Sequence, residues 1–355
     1  MRPDAFTSTE RGRVRKTPEG YWAFVPAAAP RRLSLSDEVV TLLDEATGVV
    51  HRLGGGQVPS PDAADDATEV TNYIVAMEHG LTRVRDGFPI SVRLFREMHE
   101  LLLQGARGQH RRPGELRKSP VWLGGATLDD AVFVPPPPDE MRDALSDLEK
   151  FLHETDLPLL VQLAIAHYQF EMIHPFLDGN GRIGRLMIPL MLVLRDALPQ
   201  PLLYLSAFFE QHRSEYYDHL LITSQCGDLM PWIAFFLRGV RQQARDSEER
   251  TVRLVELQHQ LRNQLLDEGR PNSVIRLAEQ LFATPVVTAA RVEAMIDVTR
   301  PTAQAAIDAL VERGDLTEIT GRTRGRVYEA GAIFEAVYGP VPIEESTVHP
   351  ELPFS

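Results

Sequence analysis

The stretch HPFLDGNGRIGR, residues 174–185, brings a histidine, an aspartate, an asparagine, three glycines and two arginines into twelve consecutive positions. An apolar run, LMIPLMLVL (186–194), follows directly and predicts a buried helix. The residues DGNG therefore form a tight turn before a helix, which aims several backbone N–H groups at one point. Taken alone, such a turn could be a plain connection capped by solvated arginines. The combination of residue types instead favours an anion-binding site.

The charged side chains of this stretch favour a polyphosphate as the anion. Arg182 and Arg185 lie three apart in the first turn of the predicted helix, so both can reach the same ligand. Two guanidinium groups beside N–H donors suit a di- or triphosphate better than a single carboxylate. Asp178 supplies a hard oxygen of the kind that binds Mg²⁺ between phosphates. A histidine such as His174 has an ordinary pKa of about 6.5, which suits a base that takes a proton from a hydroxyl.

The composition is that of a water-soluble globular protein, with 355 residues, 43% hydrophobic and 25% charged. A net charge of −13 disfavours non-specific binding to nucleic acid. No apolar run reaches the ~18 residues of a membrane helix, and the first residues contain no apolar signal segment. The single cysteine, Cys226, excludes an internal disulfide, and we expect it to be buried. These features predict a cytoplasmic protein without a membrane partner.

Periodicity predicts a mainly α fold with one small β-hairpin, formed by VWLGG (121–125) and AVFVPPPP (131–138). Gly80 and Gly105 read as helix stop signals. Apolar residues recur at helical spacing in 35–53, 70–81, 91–106, 139–153, 158–173, 182–195, 207–224, 231–250 and 245–269. The segment 54–69 has no periodicity and reads as a linker. The predicted domains are an N-terminal region (1–69), a catalytic core (70–245) and a C-terminal domain (246–355).

The C-terminal domain is predicted to be a winged helix-turn-helix. Residues 285–330 give a helix, a turn, a second helix starting near Thr299–Pro301, and two strands joined through GRTRG. Between Pro285 and Tyr338 there are six arginines against eight acidic residues, a poor balance for phosphate contacts. DNA binding is therefore possible but not favoured, and a role in dimerisation or target docking is preferred.

The motif resembles a known family. HPFLDGNGRIGR matches, at every fixed position, the HPFx[D/E]GN[G/K]RxxR signature of Fic-domain proteins. Further similarity lies in GYWAFVP (20–26), PGELRKSPVWLGG (113–125), AVFVPPPP and GDLMPWIAFFL (227–237), so the resemblance covers roughly residues 15–245. The N-terminal region is similar to the family's Fic-associated region, and a C-terminal winged helix is a common companion.

The resemblance implies a protein adenylyltransferase, which moves AMP from ATP to a Ser, Thr or Tyr hydroxyl of a target protein with the help of Mg²⁺. His174 would deprotonate the hydroxyl and Asp178 would hold the metal. Phosphate binding would fall to Gly179, Asn180, Gly181, Arg182 and Arg185. The hairpin would be the family's flap, which pairs with the target through Val132, Phe133 and Val134. Tyr217 and Gln225 would line the adenine pocket, although tyrosines at 216 and 217 also suit a core.

Many relatives carry an inhibitory helix with the motif [S/T]xxxE[G/N], whose glutamate pairs with the second arginine of the signature. This sequence has no match; the nearest segment, TLLDEA (41–46), lacks the final Gly or Asn. We therefore expect no carboxylate from residues 30–70 within salt-bridge reach of Arg185. The enzyme would then be active without release from an inhibitory helix, or it would be restrained by a partner or by contacts in a homodimer.

Three other functions remain open at this stage. The chain could be a DNA-binding regulator whose core senses a nucleotide without turnover. It could remove AMP from proteins, or transfer a different nucleotide. The complete set of His174, Asp178 and both arginines favours transfer, because a sensor has no need of a base.

Overall fold

The computed structural model describes residues 1–53, 67–105, 110–323 and 325–339, with the backbone alone at 67–70 and 338. The protein is mainly helical, with 59% helix and 6% strand, which confirms the predicted fold class. The described residues divide into two compact units, the first ending at Arg245 and the second starting at Asp246. Residues 1–53 belong to the first unit together with the catalytic core.

The first unit contains two strands and a set of helices. In chain order these are β1 (Gly12–Lys16), β2 (Trp22–Pro26), α1 (Asp37–Leu53), α2 (Ala67–Arg85), α3 (Val92–Leu102), α4 (Pro138–Leu152), α5 (Leu159–Ile173), α6 (Asn180–Leu194), α7 (Ser206–Gln211), α8 (Arg213–Cys226) and α9 (Met230–Asp267). The last part of α9 belongs to the second unit.

Helix α5 is the centre of this unit. Every residue from Leu160 to Ile173 is buried, as expected for a helix that carries apolar residues on all sides. It packs against α4, α6 and β2. Trp232 on α9 donates its indole N–H to the carbonyl oxygen of Ala164 at 2.8 Å. This packing fixes the C-terminal end of α5, where the signature stretch begins.

Several elements differ from the sequence prediction. Helix α2 does not stop at Gly80 but continues to Arg85. A Cβ added at Gly80 would lie 2.9 Å from the sulfur of Met98, so this glycine permits the close approach of α2 and α3 rather than ending a helix. The helix predicted at 207–224 is two helices, α7 and α8, and the two predicted after it are the single helix α9. Cys226 is exposed, against the expectation of burial.

A β-hairpin at the N-terminus was not predicted. Strands β1 and β2 pair antiparallel, from Gly12 opposite Pro26 to Lys16 opposite Trp22. The N–H of Phe24 donates to the carbonyl oxygen of Val134 at 2.9 Å. The rings of Phe24 and Phe133 lie 5.5 Å apart. The hairpin therefore supports the segment that the sequence assigned to the flap.

The flap itself is a single antiparallel bridge between Leu123 and Phe133. The N–H of Leu123 donates to the Phe133 carbonyl oxygen at 2.8 Å, and the Phe133 N–H donates to the Leu123 carbonyl oxygen at 3.1 Å. The segment that follows contains four prolines, which lack the N–H groups that a longer ladder needs. The hairpin is consequently much shorter than the two extended pieces predicted.

The second unit has its own apolar core, which includes Leu265, Leu277, Val292, Ile307 and Leu310. Its elements after α9 are α10 (Asn272–Leu281), β3 (Val286–Thr288), α11 (Ala289–Met295), α12 (Arg300–Arg313), β4 (Thr317–Glu318), β5 (Val327–Glu329) and α13 (Gly331–Tyr338), with sheet order β3-β5-β4. The predicted sequence of helix, turn, helix and two strands is present here. Its assignment as a winged helix, and its use in DNA binding or dimerisation, stay predictions.

Within the described ranges, no helix is both long enough and apolar enough to cross a membrane.

Candidate active site

A cleft of about 510 Å³ in the first unit brings the flap, the end of α5, the start of α6 and helix α8 together. The residues around it include Leu123, Gly124, Val132, Phe133, Glu171, His174, Gly181, Arg185, Tyr216 and Tyr217. Four of the residues that the sequence singled out for catalysis or nucleotide binding therefore line one cavity: His174, Gly181, Arg185 and Tyr217.

His174 ends α5 in the left-handed region, with φ of 49°, a conformation that is rare for a residue with a side chain. The Nδ1 atom lies 3.3 Å from the carbonyl oxygen of Glu171. Because a carbonyl oxygen can only accept, Nδ1 carries the proton and Nε2 keeps its lone pair. Burial is the main cause that lowers the pKa of His174 to about 4, and the nearby Arg117 adds to it. The imidazole is therefore neutral at pH 7, as a base must be.

The turn after His174 is fixed by its own asparagine. The Asn180 Oδ1 accepts the N–H of Phe176 at 2.8 Å, and the Asn180 Nδ2 donates to the Phe176 carbonyl oxygen at 2.9 Å. Gly179 adopts a φ of 77° at the N-cap of α6. The side chain of Asn180 thus holds the loop, so any contact of this residue with phosphate would come from its backbone N–H. The N–H groups of Asn180 and Gly181 lie in the first turn of α6, where a helix offers no backbone acceptor.

Asp178 is the candidate ligand for a metal. Its side chain is 40% exposed, and Oδ1 accepts the N–H of Gly179 at 2.6 Å and lies 3.7 Å from Arg182. In the described part of the chain, no group of three or more His, Cys, Asp or Glu residues is placed to hold a metal. A single accessible carboxylate fits Mg²⁺, which is commonly bound through one or two carboxylates and the phosphates of the substrate.

Arg185 lies at the far end of the signature, and its Nε atom is buried without a hydrogen-bond acceptor among the described residues. No carboxylate of those residues forms an ion pair with it. Glu45, the glutamate of TLLDEA, forms an ion pair with Arg241 instead. The segment expected to carry an inhibitory helix in relatives, 54–66, lies outside the described residues. The absence of an inhibitory glutamate stays a prediction.

His99 contacts the turn between His174 and α6. The N–H of Gly114 donates to its Nδ1 at 2.8 Å, so Nε2 carries the proton and donates to the Asp178 carbonyl oxygen at 2.9 Å. The ring stacks on Phe176 at 3.9 Å. Burial lowers the pKa of His99, which keeps it neutral in this one tautomer. A Cβ at Gly179 would lie 3.3 Å from the imidazole, so the glycine lets the turn lie against the ring.

Arg117 joins the flap to the catalytic end of α5. Its side chain is fully buried and donates to the carbonyl oxygens of His174 at 2.8 Å, Pro136 at 2.6 Å, Ile173 at 3.2 Å and Ser119 at 3.3 Å. Burial lowers its pKa to about 10, so it stays charged at pH 7. The bond to the His174 carbonyl holds that residue in its unusual backbone conformation.

Glu171 and His167 form a buried polar group behind Arg185. Glu171 is 7% exposed, and its Oε1 lies 4.0 Å from Nε2 of His167. The phenol of Tyr216 is 3.0 Å from the same nitrogen. Burial raises the pKa of Glu171 to about 7, although the Arg185 charge opposes the shift.

The remaining predicted residues are placed as follows. Tyr217 lines the cleft and is 54% exposed, so it is not a core aromatic; the buried core position belongs to Tyr216. The backbone carbonyl of Gln225 accepts the N–H groups of Thr7 and Ser8. Val132 is 54% exposed beside the cleft, whereas Phe133 and Val134 are buried. The adenine role of Tyr217 and Gln225 stays a prediction.

Three functional side chains were missed by the sequence: His99, Arg117 and Glu171. His99 had a signal, because it falls on the apolar face of α3 with Phe95 and Leu102. Glu171 had one too, as the only carboxylic acid in a helix that is mostly apolar. Arg117 lies in PGELRKSPVWLGG, which the sequence showed to resemble the family without indicating a role for this arginine.

Part of the chain is similar in sequence to known proteins. Residues 89–192 match the Fic/DOC family. A protein adenylyltransferase Fic from Aedes aegypti is 30% identical over 197 residues, which cover 54% of this chain and 34% of that protein. One of the same name from Drosophila melanogaster is 29% identical over 177 residues, covering 48% of this chain and 32% of that protein. The chain thus spans about a third of the length of these relatives.

A solved Fic family protein from Desulfovibrio desulfuricans aligns with 84% of this chain and 97% of its own, at 22% identity and a TM-score of 0.47. The residues that match the Fic/DOC family by sequence include the whole signature, and three residues of that signature, His174, Gly181 and Arg185, line one cleft. The chain thus contains a region, residues 89–192, that matches the Fic/DOC family.

Proposed function

We propose that this protein is a protein adenylyltransferase, which transfers AMP from ATP to a hydroxyl side chain of a target protein. The observation that carries the proposal is the shared cleft of about 510 Å³, which is lined by His174, by Gly181 in the first turn of α6 and by Arg185. The names of the relatives support the same activity.

In the proposed reaction, the Nε2 of His174 takes the proton of the target hydroxyl. The hydroxyl oxygen forms a bond to the α-phosphorus of ATP as the bond to the β-phosphate oxygen breaks, and pyrophosphate leaves. The backbone N–H groups of Asn180 and Gly181, with Arg182 and Arg185, stabilise the charge on the phosphates. Such a transfer needs positioning and electrostatic stabilisation more than covalent help from the protein. Asp178 would hold Mg²⁺, which supplies charge neutralisation on the phosphate oxygens when bound.

The test is incubation of the purified protein with cell extract, Mg²⁺ and ATP that carries the label on its α-phosphate. We expect label on a protein band, resistant to denaturation, and none when the label is on the γ-phosphate. The same assay with α-labelled GTP or CTP examines transfer of another nucleotide, and loss of label from a prelabelled target examines removal of AMP. Nucleotide binding without any label transfer would contradict the proposal and support the nucleotide-sensing regulator.

The buried environment of His174 gives a prediction for its titration. Because the pKa is lowered to about 4, the ring gains a proton only as the pH falls through that value. We expect the ring signals of His174 to stay constant between pH 5.5 and 8 in an NMR titration, and to move only in more acidic solution. The His174→Ala variant identifies its signals among those of the 11 histidines. A midpoint near 6.5 would contradict the account of this site.

The flap gives a prediction for target binding. Val132 is 54% exposed beside the cleft, so Val132→Lys should leave the fold intact while removing an apolar contact with the target. We expect kcat/KM for the target to fall about tenfold, as for the loss of a buried valine, with unchanged ATP binding. Ile319→Lys, at a 52% exposed position in the second unit, is the matched control. Equal effects of the two variants on kcat/KM would show that the flap takes no part in target recognition.

A further inference from the structure

A buried carboxyl group lies directly behind the proposed polyphosphate site. Glu171 and Arg185 both line the cleft, on α5 and α6 respectively. A Cβ added at Gly184 would lie 2.9 Å from the Oε1 of Glu171, and one at Gly181 would lie 2.9 Å from an Nη of Arg185 and 3.7 Å from the same Oε1. The two glycines therefore allow the acid and the guanidinium to approach each other across the start of α6.

The two groups are close but not hydrogen-bonded. The Oε1 of Glu171 and the Nε of Arg185 are both buried without a hydrogen-bond partner among the described residues. Unpaired buried polar atoms are uncommon, and a charged one is especially costly. A neutral Glu171 needs no counter-ion, whereas an ionised one would draw Arg185 to itself.

The hydrogen-bond donors and acceptors around Glu171 favour the neutral form of its carboxyl group. The Nδ1 of His167 lies 3.1 Å from the Gly184 carbonyl oxygen, so Nδ1 carries the proton and Nε2 is an acceptor. That acceptor takes the single hydroxyl proton of Tyr216 at 3.0 Å. The phenol of Tyr216 is also a hydrogen-bond partner of Glu171. With its own proton donated to His167, the phenol oxygen can only accept from Glu171, which requires the protonated acid.

The charged and titratable groups around Glu171 come from three elements and the signature loop: His167 on α5, Arg185 on α6, Tyr216 with Tyr217 on α8, and His174. His167 is neutral, because burial lowers its pKa to about 3. Arg185 is therefore the cation that the structure places against the acid. Burial raises the pKa of Glu171 to about 7, so both of its forms are populated near neutral pH.

We infer that Glu171 is a positioning residue for Arg185, an inference that rests on the proposed nucleotide transfer. Neutral Glu171 leaves Arg185 to bind the polyphosphate, and ionised Glu171 pairs with Arg185 and repels the phosphates. A rise in pH then weakens nucleotide binding through this one carboxyl group.

The test is calorimetric binding of the α,β-methylene analogue of ATP, with Mg²⁺, at pH 6.0 and 8.5. We expect the wild-type affinity to be about tenfold weaker at the higher pH, the size of one lost charge-assisted hydrogen bond. Glu171→Gln, which mimics the neutral acid, should keep nearly the same affinity at both values. Glu215→Gln, an exposed carboxylate change on α8, should behave as the wild type.

Titration of the analogue itself affects all three proteins alike, so the difference between them is the measurement. An equal pH dependence in wild type and Glu171→Gln would overturn the inference and leave the proposed function standing. If none of the three proteins bound the analogue, both the proposed function and this inference would be contradicted.

Infrared spectroscopy gives a second, ligand-independent readout. The carbonyl stretching band of a neutral buried carboxylic acid should be present in the wild type at pH 6 and disappear as the pH rises through about 7. It should be absent from Glu171→Gln or, if that variant does not fold, from Glu171→Met. A wild-type protein without this band at pH 6 would overturn the inference.

Discussion

Replacement of His174 by alanine is expected to lower the rate of AMP transfer by about a thousandfold, while nucleotide binding stays within a few fold. A positioned general base contributes roughly a hundredfold to ten-thousandfold. The imidazole of His174 is neutral, has its Nδ1 proton committed to the Glu171 carbonyl oxygen, and lines the cleft. Initial rates of label transfer from α-labelled ATP measure the change, and calorimetry with the α,β-methylene analogue measures binding.

The control is His51→Ala, at an exposed position on α1. It should transfer label at the wild-type rate. Should His174→Ala retain more than a tenth of the wild-type rate, His174 would not be the base of this reaction. Loss of both binding and transfer would point to a collapsed site rather than a missing base.

Replacement of Arg117 by leucine is expected to destabilise the first unit by about 3–5 kcal/mol. The guanidinium donates to four backbone carbonyl oxygens. Leucine would leave these buried acceptors without donors, at roughly 1–3 kcal/mol for each one that cannot reach water. In a unit of this size such a loss lowers Tm by about 10 °C, which differential scanning calorimetry measures. We also expect weaker AMP transfer, because the His174 carbonyl loses its donor.

Arg142→Leu is the matched control, because the Arg142 side chain is 49% exposed and, among the described residues, forms an ion pair with the exposed Asp139 alone. Exposed ion pairs contribute at most about 1 kcal/mol, so its Tm should change little. If Arg117→Leu unfolded within about 2 °C of the wild type, the buried guanidinium would not hold the flap and the signature loop together.

The candidate site could be predicted from sequence because most of its residues lie in one short stretch. The geometry of this stretch depends on neighbouring residues in the sequence. It contains a histidine, a turn that needs glycine at Gly179, and two arginines one helical turn apart. The helix on each side was predicted for the same reason. The sequence assigned Asn180 to phosphate binding but did not reveal that its side chain binds the backbone of Phe176, a contact that depends on the closed loop.

What sequence could not reveal depends on distant contacts. The N-terminal hairpin gains support from Val134, more than a hundred residues away in the chain. Gly80 looks like a helix terminator, but it lies against Met98 of the next helix. Arg117 looks like a surface arginine until the flap and α5 enclose it. In each case the deciding partner is brought near by tertiary packing, which no window of sequence displays.

The described part of α1 offers no glutamate for the inhibition of Arg185. Glu45 of TLLDEA is engaged with Arg241, which removes the nearest candidate for a degenerate inhibitory motif in the described part of α1. We propose that the protein is active without relief of an inhibitory helix, or is restrained by a partner or a second copy. A transfer rate per molecule that falls as the protein concentration rises would indicate restraint by a second copy, and a constant rate would not.

A crystal structure with Mg²⁺ and the α,β-methylene analogue of ATP tests the central claim most directly. The account predicts β- and γ-phosphates against the first turn of α6 and the side chains of Arg182 and Arg185, with the α-phosphorus facing the Nε2 side of His174. A structure with the nucleotide elsewhere, or with the imidazole turned away from the phosphates, would contradict it.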